Sequence, residues 1–173
     1  MNRLLIMLIV GIVFVSCHNN GLDTKYCSKT FSFPDSLVEM LLDYDNDYYG
    51  LYADFKIVVY YDSMCCTPCV MNNITTWNDI IKYSENNPDE VSLVVAFSPN
   101  EDLKPVFKEM LTSNNPLCYP LYLDMENEIH QMNDWLPAGM FVGLLNKDNI
   151  VVAAGSPVNP VIWKKYLSII EEQ

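Results

Sequence analysis

The stretch "FKIVVYYDSMCCTPCVMNN", Phe55 to Asn73, decides the fold. Phe55 to Asp62 is mostly apolar and β-branched, the composition of a strand buried on both faces. Cys65, Cys66 and Cys69 follow at once, and then Val70, Ile74, Trp77 and Ile81 recur at helical spacing. A buried strand that runs through Cys-x-x-Cys into a helix puts Cys66 at the helix N-terminus. Unpaired N–H groups and the helix dipole stabilise a thiolate there. Cys69 comes one helical turn later, close enough to attack a mixed disulfide formed at Cys66. Pro68 suits the first turn, where its missing N–H would have had no helical partner. The arrangement predicts an outer nucleophile with a resolving thiol behind it.

Working outward, Val91 to Phe97 reads as a second buried strand, and Ser98-Pro99-Asn100 caps a helix carrying Val106, Phe107, Met110 and Leu111. "LCYPLYLD", Leu117 to Asp124, predicts a strand that Pro120 places near a sheet edge. Asp124 caps a short helix with Ile129 and Met132. "MFVGLL" and "NIVVAAG" form a hairpin across Asn146-Lys147-Asp148-Asn149. The last helix begins at Asn159-Pro160, cap and first helical position. Upstream, "TFSF" predicts a short edge strand, and Pro34-Asp35-Ser36 opens a helix with Leu37, Leu41 and Tyr44 on one face. Strands alternating with helices, then a hairpin, predict an α/β three-layer sandwich with a mixed central sheet.

The 173 residues, half of them hydrophobic, suffice for one core. A formal charge of −12, with ten scattered basic residues, argues against nucleic acid as a partner. Residues 1–16 have another character: Arg3, an apolar run from Leu4 to Val15, then Ser16 before Cys17. The run falls short of the roughly 20 residues a spanning helix needs and suits an export signal. Ser16-Cys17 resembles a bacterial lipobox, with Phe14 where leucine is usual, which makes Cys17 the lipidation site. Residues 17–29 then read as a lipidated tether and 30–173 as the folded domain. The expected location is the cell envelope, lipid-anchored and facing the periplasm, where disulfides persist. With Cys17 acylated, five cysteines remain, an odd number that leaves at least one thiol free or paired with another molecule. Cys27 and Cys118 can bridge or stay free thiols.

Residues 30–173 resemble the thioredoxin superfamily, and within it the TlpA-like, membrane-anchored thiol-disulfide oxidoreductases. The likeness rests on "IVVYYDSMCCTPC", on "YPLYLDMENEI" and on the hairpin "GLLNKDNIVVAAGSPV". It implies a thioredoxin-like fold, Cys66 as nucleophile, Cys69 as resolving thiol, protein thiols and disulfides as substrates, and an unknown redox partner. No cofactor and no metal are implied. Strongly oxidising relatives usually carry a His between the cysteines, so Thr67-Pro68 leans the chain towards reductant or isomerase work. Three positions depart from the pattern. Cys65 stands where tryptophan is usual. Tyr60 replaces the buried acid six residues before the nucleophile, and Asp62 becomes the candidate proton acceptor for Cys69. Met140 aligns with the family's cis-proline, which leaves Pro137 as the candidate for that role. Two other readings stay open: a non-catalytic thioredoxin-like binding module, and a copper-handling protein using Cys65, Cys69 and His130.

Overall fold

The computed structural model describes residues 22–35, 38–40, 52–66, 69–70, 74–105 and 119–172. The signal peptide expected over residues 1–16, Cys17, Cys118 and the helix expected over 106–111 lie outside them.

Six strands form one mixed sheet: β1 (Val38–Met40), β2 (Phe55–Tyr61), β3 (Val91–Phe97), β4 (Leu121–Leu123), β5 (Met140–Asn146) and β6 (Val151–Ala154). Their spatial order is β1-β4-β3-β2-β5-β6. Strand β2 is central. It pairs in parallel with β3, Tyr60 opposite Ala96, and antiparallel with β5, Tyr60 opposite Phe141. All seven β2 residues are buried, as its apolar run requires when both faces are covered.

Alternate β2 side chains serve two cores. Phe55, Ile57, Val59 and Tyr61 pack with α1 (Asn78–Asn86) and α3 (Pro160–Glu171) through Ile80, Ile81, Ile162, Tyr166 and Ile170. Val58 and Tyr60 point to the other face, where Ile129 of α2 (Glu128–Met132), Phe31, Leu136 and Phe141 cover them. The result is the three-layer sandwich expected from the order of elements. The sequence-based caps also form. Asn159 accepts the Val161 N–H at 2.9 Å, and Asp124 accepts the N–H groups of Glu128 and Ile129 at 2.8 and 2.9 Å.

Three segments differ from expectation. Val38–Met40, expected within a helix, is a strand antiparallel to β4. Apolar residues spaced three and four apart fit a helix in isolation, but the open edge of β4 offers this backbone a ladder. "TFSF" contributes only an isolated bridge, Thr30 to Ile150. The tether expected to run to residue 29 is docked from Leu22 onward: Asp23 N donates to Ala154 O, and Ser28 N to Val151 O, both at 2.9 Å. Leu22 itself is buried in the core. Backbone bonds rather than an apolar side-chain pattern hold this segment, and it covers the exposed edge of β6.

Asn133 fastens the same segment to α2. Its fully buried amide accepts the Ser32 N–H at 2.7 Å and donates to Ser32 O at 2.8 Å and Ile129 O at 2.7 Å. Asn133→Ala removes both side-chain bonds to the Ser32 backbone, while Ile129 O keeps the Asn133 backbone N–H, and should cost about 1–3 kcal/mol. Urea denaturation of the two proteins measures the difference.

Candidate functional site

Beyond Tyr61 the chain leaves the sheet through a tight turn, closed by the Cys65 N–H donating to Asp62 O at 3.0 Å. Cys66 lies just past that turn. Its carbonyl accepts the Val70 N–H at 3.0 Å, the first bond of a helical turn. The 3-10 helix Ile74–Trp77 and then α1 continue the run, with Ile74, Trp77 and Ile81 buried as their spacing predicted. Strand, turn and helix start thus bring the cysteines to the carboxyl end of the central strand.

Cys66 and Cys69 are joined in a disulfide with Cα atoms 5.3 Å apart, a normal separation for one. Both are exposed. The expected contrast between an outer nucleophile and an inner resolving thiol is therefore missing. Cys65 is the inner one: a half-buried free thiol packed against the core beside Tyr61 and Trp77. Burial, and then the Asp62 charge, push the Cys65 thiol pKa up. Cys27 is disulfide-bonded.

The three cysteines line a cavity of about 350 Å³ together with Tyr61, Trp77, Met140, Ser156 and Val158. Among the described residues that line it, none carries a charge. Met140, 48% exposed, lines this cavity together with the disulfide. The cis-proline itself is absent. No peptide bond is cis among the described residues, and Pro137 follows a trans bond. Pro137 lines a neighbouring cavity of about 220 Å³ with Tyr26 and Phe141; it shares Met140 and Ser156 with the cysteine cavity, whose own lining does not include Pro137.

Gly139 and Asp62 make the contact between this loop and the cysteine turn. Asp62 N donates to Gly139 O at 2.9 Å, and Gly139 N donates to Asp62 Oδ2 at 2.8 Å. The other oxygen, Oδ1, accepts the Met64 N–H at 2.8 Å. Asp62 is 6% exposed. Both oxygens already accept a backbone N–H, so only their remaining lone pairs are open to a proton from Cys69. Sequence reasoning placed Asp62 at the site but missed this clasp, because Gly139 lies far away in the chain.

Tyr60, six residues before Cys66, is fully buried on the opposite sheet face. Its hydroxyl donates to Asn127 Oδ1 at 2.9 Å, which also accepts from Ser98 Oγ at 3.1 Å. Burial first, and then the Asp124 charge, push the Tyr60 pKa up, so this position holds a neutral donor where a relative would hold an acid. His130 follows Ile129, which packs on the Tyr60 face, whereas Cys65 packs on the other. Among the described residues no three His, Cys, Asp or Glu side chains are placed to hold a metal, so the Cys65, Cys69 and His130 trio is not assembled.

No protein-family model matches the chain, and no curated protein does. Solved structures do. The exposed lipoprotein thioredoxin Etrx1 of Streptococcus pneumoniae superposes with a TM-score of 0.51 at 12% identity, over 71% of this chain and 87% of that one. A candidate thiol-disulfide oxidoreductase of Bacteroides vulgatus gives 0.52 at 11%, over 71% and 78%. A candidate thiol:disulfide interchange protein DsbE of Chlorobium tepidum gives 0.50 at 10%, over 69% and 82%. This chain has the thioredoxin-like fold. The likeness lies in the backbone, and within that thioredoxin-like fold the Cys66–Cys69 pair is read from this chain's own residues.

Gly139 has φ +92°, and an added Cβ would meet no atom within 4 Å. A side chain is opposed by the backbone, not by space. Gly139→Ala should destabilise by about 1–2 kcal/mol. Chemical denaturation tests this, with Ala138→Gly as the neighbouring control.

Proposed function

We propose that the chain is a thiol-disulfide oxidoreductase acting on protein cysteines through Cys66 and Cys69. The single observation that carries this reading is an exposed disulfide at the carboxyl end of the buried central strand, opening onto an uncharged cavity. A purely structural disulfide would gain nothing from being presented to solvent beside such a cavity. The exposure also argues against a binding module whose cysteines are inert.

In the reducing direction, the Cys66 thiolate attacks one sulfur of a client disulfide. A Cys66–client disulfide forms, and the client's other sulfur leaves as thiolate and takes up a proton. Cys69, deprotonated, then attacks the Cys66 sulfur. The second client thiol is released and the Cys66–Cys69 bond closes. Two electrons pass to the client, and a dithiol partner must return them. The step order follows from position, since Cys66 precedes the helical turn whose first N–H groups have no intrahelical partner. The Thr67-Pro68 dipeptide supports the reductant or isomerase direction.

The same reading places the domain on the periplasmic side of a bacterial envelope, held by lipid on Cys17 after removal of residues 1–16. The motif at Ser16-Cys17 supports it. Expression with tritiated palmitate should label the wild-type chain and leave Cys17→Ser unlabelled; equal labelling would contradict the anchor.

Trapping tests the chemistry. With an oxidised client such as insulin, reduced Cys69→Ser should accumulate a mixed disulfide at the Cys66 sulfur. Cys66→Ser should accumulate about 100-fold less. Equal trapping by the two variants would overturn the assigned roles, and no trapping by either would overturn the oxidoreductase reading.

A further inference from the structure

Three cysteines border one cavity, yet the bond joins Cys66 to Cys69 and leaves Cys65 as a free thiol. Nothing in the spacing alone enforces that choice. The Cys65 thiolate could attack Cys69 Sγ, form Cys65–Cys69 and expel Cys66 as thiolate, with no net electron transfer. Such an exchange would remove the outer sulfur from the couple.

We propose that Asp62 is a positioning residue that holds Cys65 out of thiol–disulfide exchange and so confines the redox bond to Cys66 and Cys69. The proposal rests on the oxidoreductase reading above, and two features of the structure support it. The first is geometric. Asp62 takes the Cys65 N–H on its carbonyl, the Met64 N–H on Oδ1 and the Gly139 N–H on Oδ2. These bonds lock the turn so that Cys65 is packed inward against the core while Cys66 and Cys69 remain exposed.

The second feature is electrostatic. No cation pairs with the buried Asp62 carboxylate among the described residues. Its charge therefore acts on the adjacent thiol largely uncompensated. It disfavours the thiolate on Cys65, adding to the effect of burial, while the backbone bond to Asp62 partly opposes both. Besides Asp62, the ionisable groups near Cys65 among the described residues are Tyr61, on the same face of β2, and Tyr60, on the opposite face; burial pushes both pKa values up, so both stay neutral at physiological pH. From the remaining neighbours, Trp77, Met140, Ser156 and Val158 present no ionisable side chain. Since only the thiolate attacks a disulfide, a protonated and inward-facing Cys65 is a spectator.

The test uses the full chain in its oxidised form and follows iodoacetamide labelling of the Cys65 peptide by mass spectrometry across a pH series. Asp62→Asn removes the charge and keeps the volume. It should lower the midpoint of Cys65 labelling and raise its rate near pH 8 roughly three- to tenfold. A Cys65–Cys69 isomer should also appear in the disulfide map, and Asp62→Asn combined with Cys65→Ser should restore Cys66–Cys69 as the sole bond within the cysteine turn. A midpoint unchanged from wild type, with a rate within about twofold, would overturn the proposal.

If Asp62→Asn does not fold, the wild-type chain still decides. The Cys65 labelling midpoint should lie above that of the same thiol in urea, and a midpoint at or below it would overturn the proposal. None of these readouts needs client turnover. A chain inert towards client disulfides but with Cys65 labelling as described sinks the oxidoreductase reading alone. An active chain with Cys65 labelling indifferent to Asp62→Asn sinks the Asp62 role alone.

Discussion

Strand β2 has neither a free face nor a free edge, and the rest of the molecule is arranged around that constraint. It is paired residue for residue with β3 and β5, and both of its faces are covered. A strand so enclosed can present chemistry only where it ends. The turn after Tyr61 is that end, and the three cysteines occupy it. The hydrogen-bonded rows on either side hold the turn's origin still, so the disulfide projects from a rigid base onto a cavity whose far wall is β5 and the segment before α3. Rigid support beneath an exposed sulfur is what repeated thiol exchange needs, since the attacking and leaving sulfurs must stay close through two displacements.

Asp62 extends this order one residue past the strand. Its backbone continues the β2–β5 ladder to Gly139, and its side chain replaces the next rung by taking the Gly139 N–H. Gly139 is tied back to Asp62, and Met140 supplies an apolar, half-exposed surface. The surface next to the disulfide is thus built from side chains, while the Gly139 backbone is already engaged. None of the described lining residues is charged, and the Asp62 carboxylate, outside that lining, holds the Met64 N–H in the inner thiol's turn.

Much of this was legible in the sequence. The unbroken apolar run of β2, the helical spacing of Ile74, Trp77 and Ile81 and the caps at Asp124 and Asn159 are local signals; the strand and caps formed where expected, and the helical spacing falls on the 3-10 helix Ile74–Trp77 and on α1. What was illegible depends on distant partners. Val38–Met40 carries a helix-like spacing but takes the open edge of β4. Leu22 to Lys29 looks like a polar tether because its hold on β6 is made by backbone groups, which leave no mark on side-chain composition. At the site, the Cys-x-x-Cys and its place after the strand were readable. The inward turn of Cys65 and the exposure of Cys69 were not; the turn is held by the Asp62–Gly139 contact, which joins residues remote in the chain. The same remoteness explains Pro137: alignment could offer it as the cis-proline, but the trans bond and its place in the neighbouring cavity beside Tyr26 and Phe141 emerge only with the loop folded.

The measurement that bears most directly on this account is the reduction potential of Cys66–Cys69 in the Asn19–Gln173 chain. It is read by mass as the two thiols are titrated against glutathione, or against dithiothreitol for lower potentials. A reversible two-electron couple between about −120 and −270 mV is the predicted result, the span of thioredoxin-fold catalysts. A bond that resists reduction below about −300 mV would mark a structural disulfide and contradict the account, as would a titration in which Cys66 and Cys69 never form a common bond.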